Sequence, residues 1–463
     1  MSTVVVIGGG ISGLTAAWRL AALGHDVTVL EGSPVVGGKL RSAEVAGLQI
    51  DVGAEAMLAR RPEAVGLVDE LGLSDDVIHP LTTTASLRVG GGLKPMPAKT
   101  MLGIPADLEA ATASGALTAA ALARIAEEPG LPPMSPLSAD VAVGTLVRQR
   151  LGNEVTDRLV EPLLGGVYAG RADRLSLRAT MPTLATALEA GGSLVHAAAS
   201  VVDRGAHAGS GPVFASLRGG VAALPQALAE SGRFAVRCNA TVRGIERSTS
   251  GFTLTIGSGA GPEHLEADGV VLAVPAAKAA RLLRGLSQAA AAELDEIESA
   301  SMAIVSFGFA HVDLPAGSGL LVGAREGLAV KGVTVSSQKW PLETGGLTML
   351  RASIGRVGDE ALLQRDDTDL VQLAREDLTQ LVGISAAPVD AVVTRWGGGL
   401  PQYAVGHVEK VIRIRAAIAS VAGLGICGAA FDGVGIPACI GSATAAANAV
   451  HTSLSAVPTG GGN

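Results

Sequence analysis

The chain is 463 residues long, enough for two to three domains at about 150 residues each. It is 48% apolar and 17% charged, which excludes a disordered chain, and three cysteines are too few for a disulfide scaffold. A net charge of −8, with only six Phe, three Trp and two Tyr, argues against a nucleic-acid surface or an aromatic cage.

The N-terminus reads as a βαβ unit. Val4-Val5-Val6-Ile7 is a β-branched run of the kind buried on both faces of a parallel sheet. No basic segment precedes it, and Gly8, Gly9, Gly10, Gly13 and Arg19 interrupt the apolar stretch to Leu23. A signal peptide or transmembrane helix is therefore not expected here, nor does any other window give 18 uninterrupted apolar residues. Gly8-Gly9-Gly10-Ile11-Ser12-Gly13 leads into a helix from Leu14 to Leu23 with Gly24 as its stop. Val27-Thr28-Val29-Leu30-Glu31 is the second strand. In this pattern Gly8 allows a tight turn, Gly10 lets a pyrophosphate reach the backbone, and Gly13 lets helix and strand pack closely. Glu31 stands where a carboxylate accepts ribose hydroxyls, and it would repel a 2′-phosphate. A dinucleotide other than NADP is expected.

The next residues point to FAD. Gly37-Gly38-Lys39-Leu40-Arg41 brings a second glycine pair close to the first loop, as a ligand continuing past its pyrophosphate would need. Arg41 suits a phosphate or a substrate carboxylate. Asp51-Val52-Gly53-Ala54-Glu55 reads as a turn that brings backbone up to a ring system. Near the other end, Leu424 to Ala430 reads as a short strand. Phe431 to Pro437 follows, and then a small-residue helix to about Val450. The amides at that helix start would stabilise negative charge on a reduced flavin. Cys238, Cys427 and Cys439 are scattered without metal spacing, so reduced thiols, a cytoplasmic location and no metal are expected.

Glu31 to Arg41, Asp51 to Glu55 and Gly428 to Ile440 together resemble the FAD-dependent amine oxidase superfamily. The resemblance implies an α/β (α+β multidomain) fold. A Rossmann-type FAD-binding domain would be joined to a mixed-sheet substrate domain and an inserted helical domain. It implies non-covalent FAD held by Gly8, Gly10, Ile11, Ser12, Gly13, Glu31, Gly37, Gly38, Lys39, Leu40, Arg41, Gly53, Ala54, Glu55, Val242, Gly428, Val434, Gly435 and Ile436. Val242 would meet the adenine through its backbone.

Four later stretches narrow the resemblance: Gly166-Val167-Tyr168-Ala169-Gly170, Leu217-Arg218-Gly219-Gly220-Val221, Ser318-Gly319-Leu320-Leu321-Val322, and Arg395-Trp396 with Leu400-Pro401-Gln402-Tyr403. In order and spacing they resemble the protoporphyrinogen and coproporphyrinogen III oxidases of heme biosynthesis. That implies a six-electron oxidation of a porphyrinogen by flavin and O2 with release of H2O2. Flavin N5 would carry out the chemistry, so no protein residue is assigned as catalytic. Gly166, Val167, Tyr168, Gly319 and Leu321 would line the tetrapyrrole pocket, with Arg41 and Lys339 as cations for carboxylates. Lys39, Arg60, Arg61, Lys331 and Arg351 are further candidates. Coproporphyrinogen III is the expected substrate and protoporphyrinogen IX the alternative. An amine oxidase would share the FAD frame but should bring an aromatic pair to the flavin, which two tyrosines hardly supply. A flavin-binding protein without turnover is the remaining reading. Peripheral membrane contact and docking of ferrochelatase or another heme-pathway enzyme are compatible with the resemblance.

The expected division is 1–78, 218–290 and 412–456 for FAD; 79–96, 201–217 and 291–411 for substrate; 97–200 helical; and 457–463 a loose tail. Within it, Ser86 to Gly92 reads as a hairpin, Gly115 to Ile125 and Thr145 to Leu164 as helices, Ile304 to Phe309 and Val333 to Val335 as strands, and Thr368 to Leu381 as a helix.

Overall fold

The structure, a computed structural model, describes residues 1–207, 211–257, 259 and 261–456, so the expected tail lies outside the described residues. The chain opens with β1 (Thr3–Ile7), α1 (Ile11–Ala22) and β2 (Asp26–Leu30). A hairpin of β3 (Ala85–Val89) and β4 (Gly92–Pro95) precedes a helical region that contains α2 (Glu161–Tyr168). β5 (Ala235–Arg237) and β6 (Gly269–Leu272) flank an antiparallel meander, Val242–Arg247, Phe252–Ile256 and Glu263–Ala267. Then come β7 (Ser299–Phe309), β8 (Gly319–Val322), β9 (Val330–Thr334), β10 (Thr348–Ile354), α3 (Asp367–Val382) and β11 (Asp390–Pro401). β12 (Leu424–Ile426) and α4 (Ile436–Ser455) close the sequence of elements used below.

Two sheets organise the molecule. The first is parallel, in the order β5-β2-β1-β6-β12, with β1 central and all four of Val4, Val5, Val6 and Ile7 buried. Its strands read as unbroken apolar runs because both faces are covered. On one face α1 and α4 pack together, with Leu14 and Trp18 in the same core as Ile440, Ala443 and Ala447. On the other, Val5 and Leu272 meet the meander through Phe252 and Leu254. The second sheet has seven strands, β11-β7-β10-β9-β8-β3-β4, antiparallel except where β8 runs alongside β3. Phe307, Val330, Val333 and Leu350 pack one of its faces against Leu370, Ala374 and Leu378 of α3.

The hairpin, the strand expected from Ile304 to Phe309 and α3 lie where the periodicity puts them, while the strand expected from Val333 to Val335 is the end of β9, which starts at Val330 and stops at Thr334. Three expectations change. The helix expected from Thr145 to Leu164 is interrupted: Val143–Leu151 ends at Gly152, whose φ of 91° stops it, and a π-type turn over Thr156–Val160 precedes α2. The helix expected from Gly115 starts only at Ala119, behind an N-cap at Thr118 whose side chain accepts from the Ala121 amide. β12 stops at Ile426, so Cys427 to Ala430 leave the sheet as a turn.

Candidate functional site

The first loop shows why its glycines are where they are. A Cβ on Gly13 would stand 1.8 Å from the Gly8 carbonyl oxygen, so α1 sits directly on the turn that ends β1. Gly10 is different: the nearest atom to a Cβ there is the Gly38 Cα at 3.9 Å. Gly10 is also the N-cap of α1, and no side chain caps the amides of the helix beginning at Ile11, Ser12 and Gly13. The second glycine pair abuts the first, since the Gly37 amide donates to the Gly9 carbonyl at 2.8 Å. Gly37 owes its lack of a side chain to its own turn, where a Cβ would lie 2.4 Å from the Leu40 carbonyl oxygen.

Glu31 ends β2 with both carboxylate oxygens engaged. Oε2 accepts from the Gly9 amide at 2.6 Å, and Oε1 from the Ser33 amide at 2.8 Å. Its carbonyl accepts from the Ala240 amide, which ties β2 to the turn leading into Val242. A rim of loops from distant parts of the chain thus converges on the first glycine loop.

Cations gather beside it. Arg41 has a buried Nε without a hydrogen-bond partner among the described residues, and its guanidinium lies 5.8 Å from the Trp396 ring. Trp396 donates to the Val52 carbonyl at 3.0 Å and lies against Gly53, whose Cβ would meet its ring at 3.1 Å. Lys39 donates to the Gly399 carbonyl at 2.6 Å, and burial lowers its pKa. The Ala54 amide donates to the Lys39 carbonyl, while Leu40 is core. Glu55 is clamped between Lys339 and Arg351, the latter at 2.7 Å, and Arg351 also donates to the Gly53 carbonyl. Burial alone would raise the Glu55 pKa, but Arg351 and Lys339 outweigh it and hold the carboxyl below its ordinary value. Asp51 is pushed up to about 6 by burial, against the pull of the Val221 amide and Arg351. Lys339 and Arg351 therefore share Glu55, with Asp51 also under the pull of Arg351, while Lys39 rests on a carbonyl and Arg41 on the Trp396 ring in a chain of charge −8.

At the other end of the chain, Gly428 has a φ of 132° and nothing within 4 Å of a Cβ position. Val434 is half-buried, and Gly435 caps α4 without a side-chain hydrogen bond before the buried Ile436. Room at Gly10 and Gly428, the orphaned Arg41 Nε and two helix starts uncapped by side chains fit a pyrophosphate-bearing cofactor.

The expected tetrapyrrole residues fall into two groups. A Cβ on Gly166 would meet the Leu321 side chain at 3.2 Å, so α2 lies on β8 there. Tyr168 is buried beside Tyr403, ring centres 5.6 Å apart, and burial raises its pKa to about 12. Val167 projects to the surface. Gly319, in contrast, is set by the sheet itself: a Cβ would lie 2.0 Å from the Val333 carbonyl oxygen. Lys339 is with Glu55, as described. Arg60 reaches the Gly205 and Gly211 carbonyls and Arg61 pairs with Glu63. Lys331 is not a surface cation at all; it is 1% exposed.

Three further residues have no place in the expected site, Tyr403 being expected only as a core or hydrogen-bonding side chain. Asp51 accepts from the Val221 amide at 3.0 Å, and Gly220 leaves it room, since a Cβ there would be 2.7 Å from its carboxylate. Trp396 braces Val52 and Gly53. Tyr403 donates to the Ala429 carbonyl and stacks on His407 at 4.1 Å, next to the Gly428 turn. All three lie inside quoted motifs, but their partners are between 26 and 344 residues away in sequence.

The profile of the family described as "Flavin containing amine oxidoreductase" matches residues 11–451. Coproporphyrinogen III oxidase of Mycobacterium tuberculosis is 39% identical over 457 residues, covering 97% of this chain and 98% of the relative. The Bacillus subtilis protein of the same name is 32% identical over 467 residues, with 97% and 98% covered. Among solved structures, an Exiguobacterium sp. 255-15 chain assigned as a protoporphyrinogen oxidase superposes with a TM-score of 0.86 at 30% identity, covering 97% of this chain and 99% of that one. Family profile and full-length relatives agree with the glycine loops and their rim: the chain belongs to the flavin-containing amine oxidoreductases, and its cofactor is a flavin.

Proposed function

We propose that this protein is an oxygen-dependent coproporphyrinogen III oxidase that holds FAD without a covalent bond. The observation that carries the reading is the full-length likeness to relatives named for that reaction. The substrate would give up six electrons and six protons in all, and three O2 would become three H2O2.

Bound FAD would supply hydride acceptance and transfer to O2. The task left to the chain is positioning and electrostatics. Residues 1–78, 218–290 and 412–456 would hold the cofactor, with Glu31 at the ribose, Gly10 and Gly38 at the pyrophosphate and Val242 at the adenine. The Gly428 to Ile436 turn would take the flavin end, where the first turn of α4 favours negative charge. Arg351 and Lys339, fixed by Glu55, would give the positive field that an anionic tetrapyrrole needs. Gly166, Val167, Tyr168, Gly319 and Leu321 would border the macrocycle. No helix among the described residues is long and apolar enough to cross a membrane; we place the enzyme in the cytoplasm, with a heme-pathway chelatase as the class of partner its product implies.

Anaerobic mixing of the yellow protein with coproporphyrinogen III, protoporphyrinogen IX or an amine, followed by flavin absorbance, tests the proposal. Bleaching is expected with coproporphyrinogen III at the lowest concentration. The Exiguobacterium likeness favours a second reading, protoporphyrinogen IX, which would bleach first in that case. Bleaching by the amine alone would overturn both. Glu31→Ala should lower FAD affinity by at least about tenfold, since a carboxylate with two backbone amides is removed. Unchanged FAD content would remove Glu31 from the site.

A further inference from the structure

Lys331 lies at an irregularity of β9. Val330 pairs with Ile354 of β10 and Gly332 with Ser353, so Lys331 is the extra residue of a β-bulge. Val330 and Val333 belong to the core beneath the sheet, around α3. The bulge turns Lys331 the other way, toward α2, and its Nζ donates to the Gly165 carbonyl at 3.3 Å. That carbonyl also accepts from the Ala169 amide at 3.0 Å, closing the last turn of α2, where Ala169 takes a left-handed φ of 50°. A cation there suits the negative end of the helix.

Other charged groups near this end of α2 already have partners. Arg171 pairs with Glu161 at 3.7 Å and Asp359 at 3.9 Å, while Arg356 donates to the Val322 carbonyl at 2.8 Å. Asp377 of α3 is engaged by the Val330 amide at 2.8 Å on the far face, and Tyr168 stays protonated. Two arginines offset Glu161 and Asp359, so Lys331 is the uncompensated charge. Burial, then Arg356, lowers its pKa to about 7, against a smaller opposing pull from Asp359. An apolar residue would fill the bulge without that cost to folding. A buried amine whose one hydrogen bond among the described residues ends on α2 is therefore matched to a task at α2.

We infer that Lys331 is a positioning residue for the substrate site: its ammonium group clamps the Gly165 carbonyl and so fixes the Gly166-Val167-Tyr168 turn against Leu321. This rests on the proposal that the turn borders the macrocycle. Deprotonation removes the clamp's charge, so substrate binding weakens as pH rises through neutrality while flavin loading does not change.

Two measurements on the FAD-loaded protein test it, with Lys331→Met and Lys331→Arg beside the wild type. Amide hydrogen exchange across residues 162–172 needs no substrate. Lys331→Met should speed it by about tenfold, the scale of one charge-assisted hydrogen bond, and Lys331→Arg should restore protection. In steady-state oxidation of coproporphyrinogen III, the wild-type KM should rise between about pH 6 and pH 9 with kcat steady. Lys331→Arg should flatten that rise, because a guanidinium keeps its proton. Wild-type exchange in Lys331→Met overturns the inference, as do superimposable KM profiles for wild type and Lys331→Arg. The profiles decide alone if Lys331→Met does not fold. If no porphyrinogen reduces the flavin, the functional proposal fails, and the exchange comparison still decides whether Lys331 holds the turn.

Discussion

Gly10 and Gly13 stand three residues apart and should fail in different ways when each gains a methyl group. At Gly13 the new carbon would lie 1.8 Å from the Gly8 carbonyl oxygen, where ordinary contact begins at 3.4 Å. The start of α1 would have to retreat by about 1.6 Å, and the buried Leu14, Trp18, Ile440 and Ala443 packed around it would have to follow. Overpacking of this kind costs about 3 kcal/mol, which lowers the melting temperature by on the order of 5 °C. At Gly10 the backbone is extended, φ −78° and ψ 176°, and the nearest atom is 3.9 Å away. Gly10→Ala should cost the apoprotein less than about 1 kcal/mol. Its methyl would stand in the space proposed for the pyrophosphate and reduce FAD affinity by about 10- to 100-fold. Thermal melts of FAD-stripped protein and FAD titration by fluorescence quenching separate the two effects. Native FAD affinity in Gly10→Ala, or equal loss of apoprotein stability in both variants, would refute the assignment of Gly10 to ligand and Gly13 to packing.

Two further outcomes follow from the buried charges. Glu55→Gln leaves the buried Arg351 and the half-buried Lys339 without their carboxylate and should cost about 3 kcal/mol at neutral pH, read from urea unfolding. Because the Glu55 pKa is lowered in the fold, its contribution is present above the ordinary carboxylate value and fades as pH falls through the lowered one. The gap between variant and wild type should therefore close in acid; a gap independent of pH would contradict the pairing. His407 is buried with an Nε2 that has no partner among the described residues and a pKa of about 4, lowered chiefly by burial. Its unfolded form takes up a proton near pH 6.5 that the folded form refuses, so the wild type should lose about 3 kcal/mol between about pH 6.5 and pH 4. His407→Phe should have a shallower acid slope over that window, and an identical slope would show that the imidazole is not buried neutral.

Legibility followed range along the chain. The βαβ unit, the hairpin and α3 were readable because glycine spacing and apolar period are local properties. In the sequence Lys331 is one cation among several, since nothing local announces a bulge that turns a side chain away from α3 and toward α2. The resemblance gives Glu55 and Lys339 to different ligands; their pairing spans 284 residues and no periodicity encodes it. The resemblance gives Gly319 to a flat ring, yet the approach of β9 already demands glycine there. Composition bears on one feature: in a chain of net charge −8, Lys339 and Arg351 meet at a single carboxylate, Glu55.

The order β5-β2-β1-β6-β12 also sets a timetable. β1 is the centre of its sheet, but its neighbour β6 is made some 260 residues later and the outer β12 about 150 after that. At about 5–20 residues per second, a ribosome needs roughly 20–80 s between the first strand and the last. Throughout that interval the apolar faces of Val4 to Ile7 lack half their cover, and α1 lacks α4. A chain broken off before residue 436 would hold the complete first glycine loop and still present no second wall to a dinucleotide. On the proposed site, cofactor capture would follow only the completed chain, and until β6 is made one edge of β1 stays unpaired.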